Sequence, residues 1–291
     1  MKIFSNINYY SEYHRYRLNN IAKSFWNDRS IKERKQVYGE WVDLYQYEPD
    51  IKKTDVCILT YKWPYYIQQK MIPEAVAEVE AARENGKPMV IFSEGDHPAN
   101  IPFDDVILFE YAGYHRSTPG LRYHSSMPVF LDDYLQIYCQ DEMLLRSKHK
   151  QPIIGFCGLA STSPFLNFFR NIRLKIRQRK YKRGEFQLEP PPFETSAFRA
   201  RVLNKFIEQP GIRTNFLIRK RYRAGVIDDK SPHHPSKVEF VNNILDSDYT
   251  VCMRGGGNFS VRFYETLSLG RIPIFIDTDC LLPFQDEIDY K

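Results

Sequence analysis

The chain has 291 residues, of which 43% are hydrophobic and 26% are charged, which is the composition of a globular protein rather than a disordered one. This length predicts two domains of ordinary size. The formal net charge is only +5, so a strongly basic surface would have to be confined to one part of the chain. No apolar run reaches the length of a membrane span, and Met1–Phe4 leads into polar residues rather than a signal peptide. We therefore expect a cytoplasmic protein, peripheral to a membrane at most.

The first half of the chain alternates predicted strands with predicted helices. Apolar runs predict strands at Lys2–Phe4, Asp55–Thr60, Pro88–Ser93 and Val106–Phe109. Helical patterns cover Ser30–Leu44, where Ser30 and Glu33 have capping-box spacing, and Pro73–Asn85, which Gly86 follows as a stop. This alternation predicts a parallel α/β domain. The charged segment Asp141–Lys150 marks its end, so we expect domains at 1–150 and 151–291.

A polar loop follows the predicted strand Pro88–Ser93 and contains Glu94, Asp96 and His97. Ligands bind at the carboxyl ends of parallel strands, so this loop is expected to line a cleft. A carboxylate or an imidazole there could remove a proton from an acceptor hydroxyl. Asp96 and His97 are therefore the candidate catalytic base, with Glu94 behind them. The competing interpretation is a turn with solvated charges.

The second half repeats the α/β alternation. Strands are predicted at Ile153–Phe156 and Thr214–Ile218, and helices at Phe165–Arg183, Thr195–Glu208 and Pro235–Leu245. Arg219 and Arg223 follow the strand Thr214–Ile218, again at a carboxyl end. They are candidates to neutralise a diphosphate, and a basic surface loop is the alternative.

The predicted helix Phe165–Arg183 carries a local basic run. Eight of the fourteen residues from Arg170 to Arg183 are Lys or Arg, and Phe165, Phe168 and Phe169 precede them. One interpretation is contact with an anionic membrane surface, and another is nucleic-acid binding. A solvated helix face is the third. The small net charge weakens a general nucleic-acid role, so no nucleic-acid partner is expected.

The segment Tyr249–Phe284 predicts a strand, a glycine loop, a helix and a second strand. Tyr249–Met253 and Ile272–Ile276 are the strands, and the helix begins near Asn258 or Ser260 and stops at Gly270. A strand–helix–strand unit makes both strands parallel. The polar loops that follow them therefore share one edge of the sheet.

The loop chemistry suits a phosphorylated ligand. Gly255, Gly256 and Gly257 leave backbone N–H groups open to an anion, and a helix N-terminus follows them. Arg254 and Arg262 supply guanidinium donors, and Glu265, on the same helix face as Arg262, could bind ribose hydroxyls. The alternative is a glycine-rich turn beside a surface ion pair. The loop completes neither a Rossmann fingerprint nor a P-loop.

These residues carry a resemblance to a known family. The runs Cys252–Asn258, Arg262–Leu267, Gly270–Ile274 and Leu282–Phe284 resemble the C-terminal half of exostosin-family glycosyltransferases, and Pro152–Gly158 and Phe216–Arg219 resemble bacterial members. The resemblance runs from Pro152 to the end. It implies the GT-B architecture, in which two Rossmann-like parallel-sheet domains face a cleft.

The resemblance also implies a function. An N-terminal domain would bind the acceptor and a C-terminal domain a nucleotide-sugar donor, with UDP favoured and no cofactor. An inverting, metal-independent transfer would carry the sugar to a hydroxyl of a glycan or lipid-linked glycan, as in polysaccharide biosynthesis. Family members usually continue past Leu282–Phe284, so this chain resembles a truncated or minimal member.

Two alternatives remain open. Asp277-Thr278-Asp279 resembles the Asp-x-Asp motif of metal-dependent GT-A glycosyltransferases, which hold Mn²⁺ or Mg²⁺. A non-catalytic carbohydrate-binding protein is the other. The five cysteines have no metal-binding spacing and are expected to be reduced thiols in the core.

Overall fold

The computed structural model describes residues 1–9, 18–25, 30–115, 121–147, 149–185, 189–221, 225 and 231–290. The chain folds as two compact units, of which the first comprises Met1–Met127 with Leu281–Lys291 and the second comprises Pro128–Cys280. Each unit contains one sheet, and every pairing within the two sheets is parallel. The protein is therefore α/β, as the alternating pattern predicts.

The units differ from the expected domains 1–150 and 151–291 at both ends of the second unit. Residues 128–150 belong to that unit, where Arg146 Nε donates to Asp248 Oδ1 at 2.9 Å. The last residues return to the first unit, where the Leu281 N–H donates to the Gly113 carbonyl at 3.1 Å. The polar composition of 141–150 therefore did not reveal these long-range contacts.

The first sheet has six strands in the order β2-β1-β3-β4-β5-β6. They are β1 Lys2–Phe4, β2 Gln46–Tyr47, β3 Val56–Ile58, β4 Met89–Ser93, β5 Ile107–Glu110 and β6 Tyr123–Ser126. Four of these match predicted strands. The strand β6 was not predicted, because its sequence YHSS has almost no apolar signal.

The helices of the first unit are α1 Asn20–Phe25, α2 Ile31–Tyr38, α3 Trp63–Gln69 and α4 Ile72–Glu84. The capping box of Ser30 and Glu33 is confirmed at the start of α2. The predicted helix to Leu44 is wrong, because Gly39 interrupts it with a φ of 91° and a short 3₁₀ helix follows at Glu40–Asp43. Only glycine adopts such a φ without strain.

The second sheet has four strands in the order β10-β9-β7-β8. They are β7 Ile153–Leu159, β8 Arg213–Arg219, β9 Tyr249–Met253 and β10 Ile272–Ile276. All four match predicted strands, and β9 pairs with β10 over its full length. Their carboxyl ends therefore lie along one edge, which is called the ligand edge below.

The helices of the second unit are α5 Tyr134–Cys139, α6 Pro164–Lys182, α7 Thr195–Ile207, α8 Pro235–Leu245 and α9 Val261–Ser268. The short helix α5 is the one that was not predicted. Within the described ranges, no helix combines the length and apolar character that a membrane crossing requires. All five cysteines are buried thiols, as expected.

Two features of the structure favour glycine at position 270, just after α9. Its φ is 65°, and a Cβ there would lie 1.9 Å from Met143 Sδ. The left-handed backbone therefore favours glycine at this stop, and a side chain there would also displace the thioether of Met143.

Candidate functional site

Arg254 organises the loop that follows β9. Its side chain is almost fully buried, with 2% of the residue exposed. One guanidinium nitrogen donates to Asn258 Oδ1 at 2.9 Å, and another donates to the Gly256 carbonyl at 3.3 Å. The guanidinium also lies 5.6 Å from the centre of the Phe193 ring. Arg254 therefore shapes the loop from inside instead of projecting from it.

Asn258 ties this loop to the turn after β10. The residue is fully buried, and its Nδ2 donates to the Asp279 carbonyl at 3.0 Å. Its Oδ1 also accepts from Thr278 Oγ1 at 2.7 Å, and its backbone carbonyl accepts from Cys280 Sγ at 2.7 Å. The prediction that these two loops share one sheet edge is therefore confirmed.

The three glycines keep this loop free of side chains. Gly256 is exposed, Gly255 is half-buried and Gly257 is buried. None of the three has a left-handed φ, so backbone strain does not explain them. A Cβ on Gly255 would lie 3.4 Å from a guanidinium nitrogen of Arg199. A small side chain at position 255 would therefore touch the guanidinium of Arg199 at about van der Waals distance.

Arg199 was missed in the sequence. From α7 it donates to the carbonyls of Arg254 at 3.0 Å, Leu159 at 3.3 Å and Met253 at 3.5 Å. It therefore joins the carboxyl ends of β7 and β9. No spacing in the sequence distinguishes this arginine from the others on an amphipathic helix.

Arg262, the second residue of α9, reaches across to β7. Its guanidinium donates to the Cys157 carbonyl at 2.7 Å and lies 4.5 Å above the Phe156 ring. Gly158 makes room for it, because a Cβ there would lie 2.8 Å from a guanidinium nitrogen. A carbonyl, an aromatic face and a glycine thus hold this cation at the ligand edge.

Arg262 and Arg219 differ in whether a carboxylate pairs with the guanidinium. Arg219 pairs with Glu239 at 2.6 Å and donates to the Ser236 carbonyl at 2.7 Å. Arg262 has no carboxylate within ion-pair distance among the residues that the structure describes. Arg223 lies outside the described residues. Arg262 is therefore a cation that a carbonyl and an aromatic ring hold at the ligand edge without an ion pair to any described residue.

Glu265 contacts Tyr134 rather than Arg262. Its Oε1 accepts from the Tyr134 hydroxyl at 2.9 Å. Burial, and then the negative charge of Glu265, raise the pKa of Tyr134 well above its usual range, so the phenol stays protonated as a donor. The surface ion pair considered for Arg262 and Glu265 does not form. Ser260 occupies the N-cap position of α9, but its side chain makes no capping bond.

The catalytic-base candidates all lie in the first unit, after β4. Asp96 is exposed and His97 is half-buried. Glu94 forms an ion pair with Lys62. Burial, and then the positive charge of Lys62, lower the pKa of Lys23, against the charge of Glu94, which raises it. Of the three candidates, Glu94 is therefore the one that an ion pair with a described residue engages.

A buried glutamate anchors this loop and was also missed in the sequence. Glu110 ends β5 with 1% of the residue exposed. Its carboxylate accepts from the Ala99 N–H at 2.7 Å and contacts His124 Nε2 at 2.7 Å. A Cβ on Gly113 would come within 2.9 Å of this carboxylate. The only sequence signal was a charged residue at the end of an apolar strand.

The Asp-x-Asp segment forms a turn after β10. The exposed Asp277 accepts from the Cys280 N–H at 3.0 Å, and Asp279 has a left-handed φ of 65°. No group of three or more His, Cys, Asp or Glu side chains in the described ranges is arranged to hold a metal ion. The turn geometry therefore assigns Asp277 a backbone hydrogen bond.

A cavity of about 350 Å³ lies beside the loop organised by Arg254. Its walls come from the segment after β7, from α6, and from α7 with the two residues before it. They include Ser161, Asn167, Asn171, Phe193 and Asn204. Asn167 Oδ1 is buried there without a hydrogen-bond partner among the described residues. An aromatic ring among amide groups suits a flat polar ligand.

Comparisons with known proteins do not assign this chain to a family. No protein-family model matches the chain, and no curated protein matches it at a significant level.

Proposed function

We propose that this protein is a glycosyltransferase of the GT-B type, and that its second unit binds the nucleotide-sugar donor. The observation that carries the proposal is the Arg262 cation, which is fixed at the ligand edge without a carboxylate partner among the described residues. A buried or half-buried cation without a counter-ion favours an anionic ligand. The adjacent glycine loop and the start of α9 favour the same ligand class.

The proposed ligand group is the diphosphate of the donor. Arg262 and the backbone N–H groups of Gly255–Gly257 would bind its oxygens, and Arg199 and Arg254 would act through the loop that they hold. Charge builds on the diphosphate as the glycosidic bond to it breaks. Preorganised donors at that position stabilise the transition state by about 3 kcal/mol each. Arg219 contributes less, because Glu239 already pairs with it.

The nucleoside fits the cavity beside this loop. Phe193 offers a ring for stacking a base, and Asn167, Asn171 and Asn204 offer amide groups for its polar edge. The volume of about 350 Å³ is at the lower end for small-molecule sites. UDP is the nucleotide that the resemblance favours.

The sugar would pass to a hydroxyl of a glycan or lipid-linked glycan. Asp96 or His97 would take the hydroxyl proton, the hydroxyl oxygen would bond to the anomeric carbon, and the nucleoside diphosphate would leave with the electron pair. General bases of this kind contribute about 10²- to 10⁴-fold to the rate. The proposed mechanism requires no cofactor.

We expect UDP to bind the full chain with EDTA present, and to bind far more tightly than uridine. Isothermal titration calorimetry measures both affinities, and CDP, ADP and GDP test the choice of base. Gly256→Val should weaken UDP binding without lowering stability, because Gly256 is exposed and its φ is not left-handed. Gly256→Ala should have a smaller effect, since it adds one methyl group. Equal affinity for UDP and uridine would reject a diphosphate site.

The base assignment is tested by Asp96→Asn and His97→Gln. We expect one of them to lower kcat by at least about 100-fold while UDP affinity stays unchanged. Asp104→Asn is the matched control, since its side chain is 87% exposed in the same unit. Turnover is measured as UDP release with an acceptor found by screening glycans. Full activity in both variants would remove the base from this loop.

The alternatives predict different results in the same assays. Transferase activity that requires Mn²⁺ and is abolished in Asp277→Asn would favour the metal-dependent transferase. Sugar binding without turnover on any nucleotide-sugar would favour a carbohydrate-binding protein.

A further inference from the structure

The helix α6 presents an apolar stripe to the outside. Successive helical residues turn by about 100°, so residues at spacings of three, four, seven and eleven project into one sector. Phe165 is 70% exposed, Phe168 60% and Ile176 48%. Phe169 and Ile172 belong to the same sector and are also exposed. The stripe is therefore the outward side of the helix and not its core side.

The opposite side of α6 packs against its own unit. Leu174, which projects about 180° from Phe165, is the residue of α6 that is buried. Arg170 donates to Ser196 Oγ at 2.7 Å, and Gln178 donates to the Pro191 carbonyl at 2.9 Å. The helix is thus held by one face, and its larger apolar residues face away from the unit.

Cations lie on both sides of the apolar stripe. Arg173 and Lys180 project to one side of it, Lys175 and Lys182 project to the other, and all four are exposed. The helix contains no Asp or Glu. The outward face therefore has an apolar centre and basic margins, which is the pattern of a helix that lies in the interface of a membrane.

We propose that α6 binds an anionic lipid surface, with its stripe of Phe165, Phe168, Phe169, Ile172 and Ile176 inserted among the acyl chains. The flanking lysines and arginines would lie at the level of the headgroups. A nucleic acid fits less well, because it would place phosphates against the apolar centre of this face. A second copy of the chain would bring two basic faces together. This inference does not depend on the proposed transferase activity.

The test is co-sedimentation of the full chain with vesicles of phosphatidylcholine alone and of phosphatidylcholine mixed with phosphatidylglycerol. We expect binding to the mixed vesicles and little binding to phosphatidylcholine. Lys175→Gln with Lys180→Gln should weaken it about 25-fold, at about fivefold, or about 1 kcal/mol, for each cation. Lys32→Gln with Lys205→Gln is the matched control at exposed positions on other helices, and should leave binding unchanged.

Insertion has a separate readout. In Phe168→Trp, the fluorescence of the introduced tryptophan should shift to shorter wavelength on vesicle binding. Brominated acyl chains should quench that fluorescence. Phe165→Ser with Phe168→Ser should abolish binding without lowering thermal stability, since both residues are exposed. Equal binding to neutral vesicles, preferential binding to an RNA or DNA oligonucleotide, or self-association that these serine substitutions remove would each overturn the proposal.

Discussion

Replacing Arg262 by methionine is expected to weaken UDP binding by about a hundredfold, which corresponds to about 3 kcal/mol. The methionine keeps an apolar contact with the Phe156 ring but removes the cation at the ligand edge. The affinity is measured by isothermal titration calorimetry of the full chain, and it should depend less on salt in the variant.

Arg219→Met is the matched control for this result. Arg219 lies on the same edge, but its charge is paired with Glu239, so its loss should affect UDP affinity much less. Gly158→Ala tests the same cation without removing it, because the new Cβ would lie 2.8 Å from the guanidinium and displace it. Normal UDP affinity in both Arg262→Met and Gly158→Ala would refute the site.

Replacing Glu78 by alanine is expected to destabilise the first unit by about 4 kcal/mol. Glu78 lies in α4 with 6% of the residue exposed, and its carboxylate accepts from the Thr60 N–H at 3.1 Å and from Thr60 Oγ1 at 2.6 Å. The Tyr66 hydroxyl is a third donor. The substitution leaves the Thr60 N–H and the Tyr66 hydroxyl without this acceptor, and Thr60 Oγ1 keeps only longer contacts with the Asn6 carbonyl and Ser5 Oγ. Urea unfolding of the full chain, followed by circular dichroism, measures the loss.

Glu78 should also make stability depend on pH. Burial raises its pKa to about 7, against the hydrogen bonds from Thr60 and Tyr66, which lower it. The unfolded carboxyl titrates near its ordinary value of 4.5. The folded state thus holds the proton more tightly, and this contribution is complete below 4.5 and lost as the pH rises through about 7.

Glu78→Gln isolates that effect, because glutamine keeps the shape and cannot ionise. We expect the wild-type free energy of unfolding to fall by about 3 kcal/mol relative to the variant over this pH range. An identical pH profile for both proteins would show that the carboxylate is not held in its neutral form.

The amino-acid sequence is sufficient to predict the α/β class and most strands, because buried parallel strands need apolar runs that periodicity reveals. It also determined the start of α2 and the polar loops at the ligand edge, since caps and glycines act within a few residues. The end of α2 at Gly39 and the strand β6 were not predicted, because a glycine with positive φ and a polar strand leave little periodic signal.

The partner that each charged side chain contacts depends on how the whole unit packs. Arg262 and Glu265 share a helix face, yet Arg262 contacts Cys157 and Glu265 contacts Tyr134, each more than a hundred residues away. Arg254 turns into its own loop, and Arg199 arrives from α7 to hold it. Residue type and spacing determine which chemical groups lie at a sheet edge. The partners that a long side chain contacts there depend on which groups the packing brings within its reach. That packing is a property of the whole unit, so no local pattern contains it.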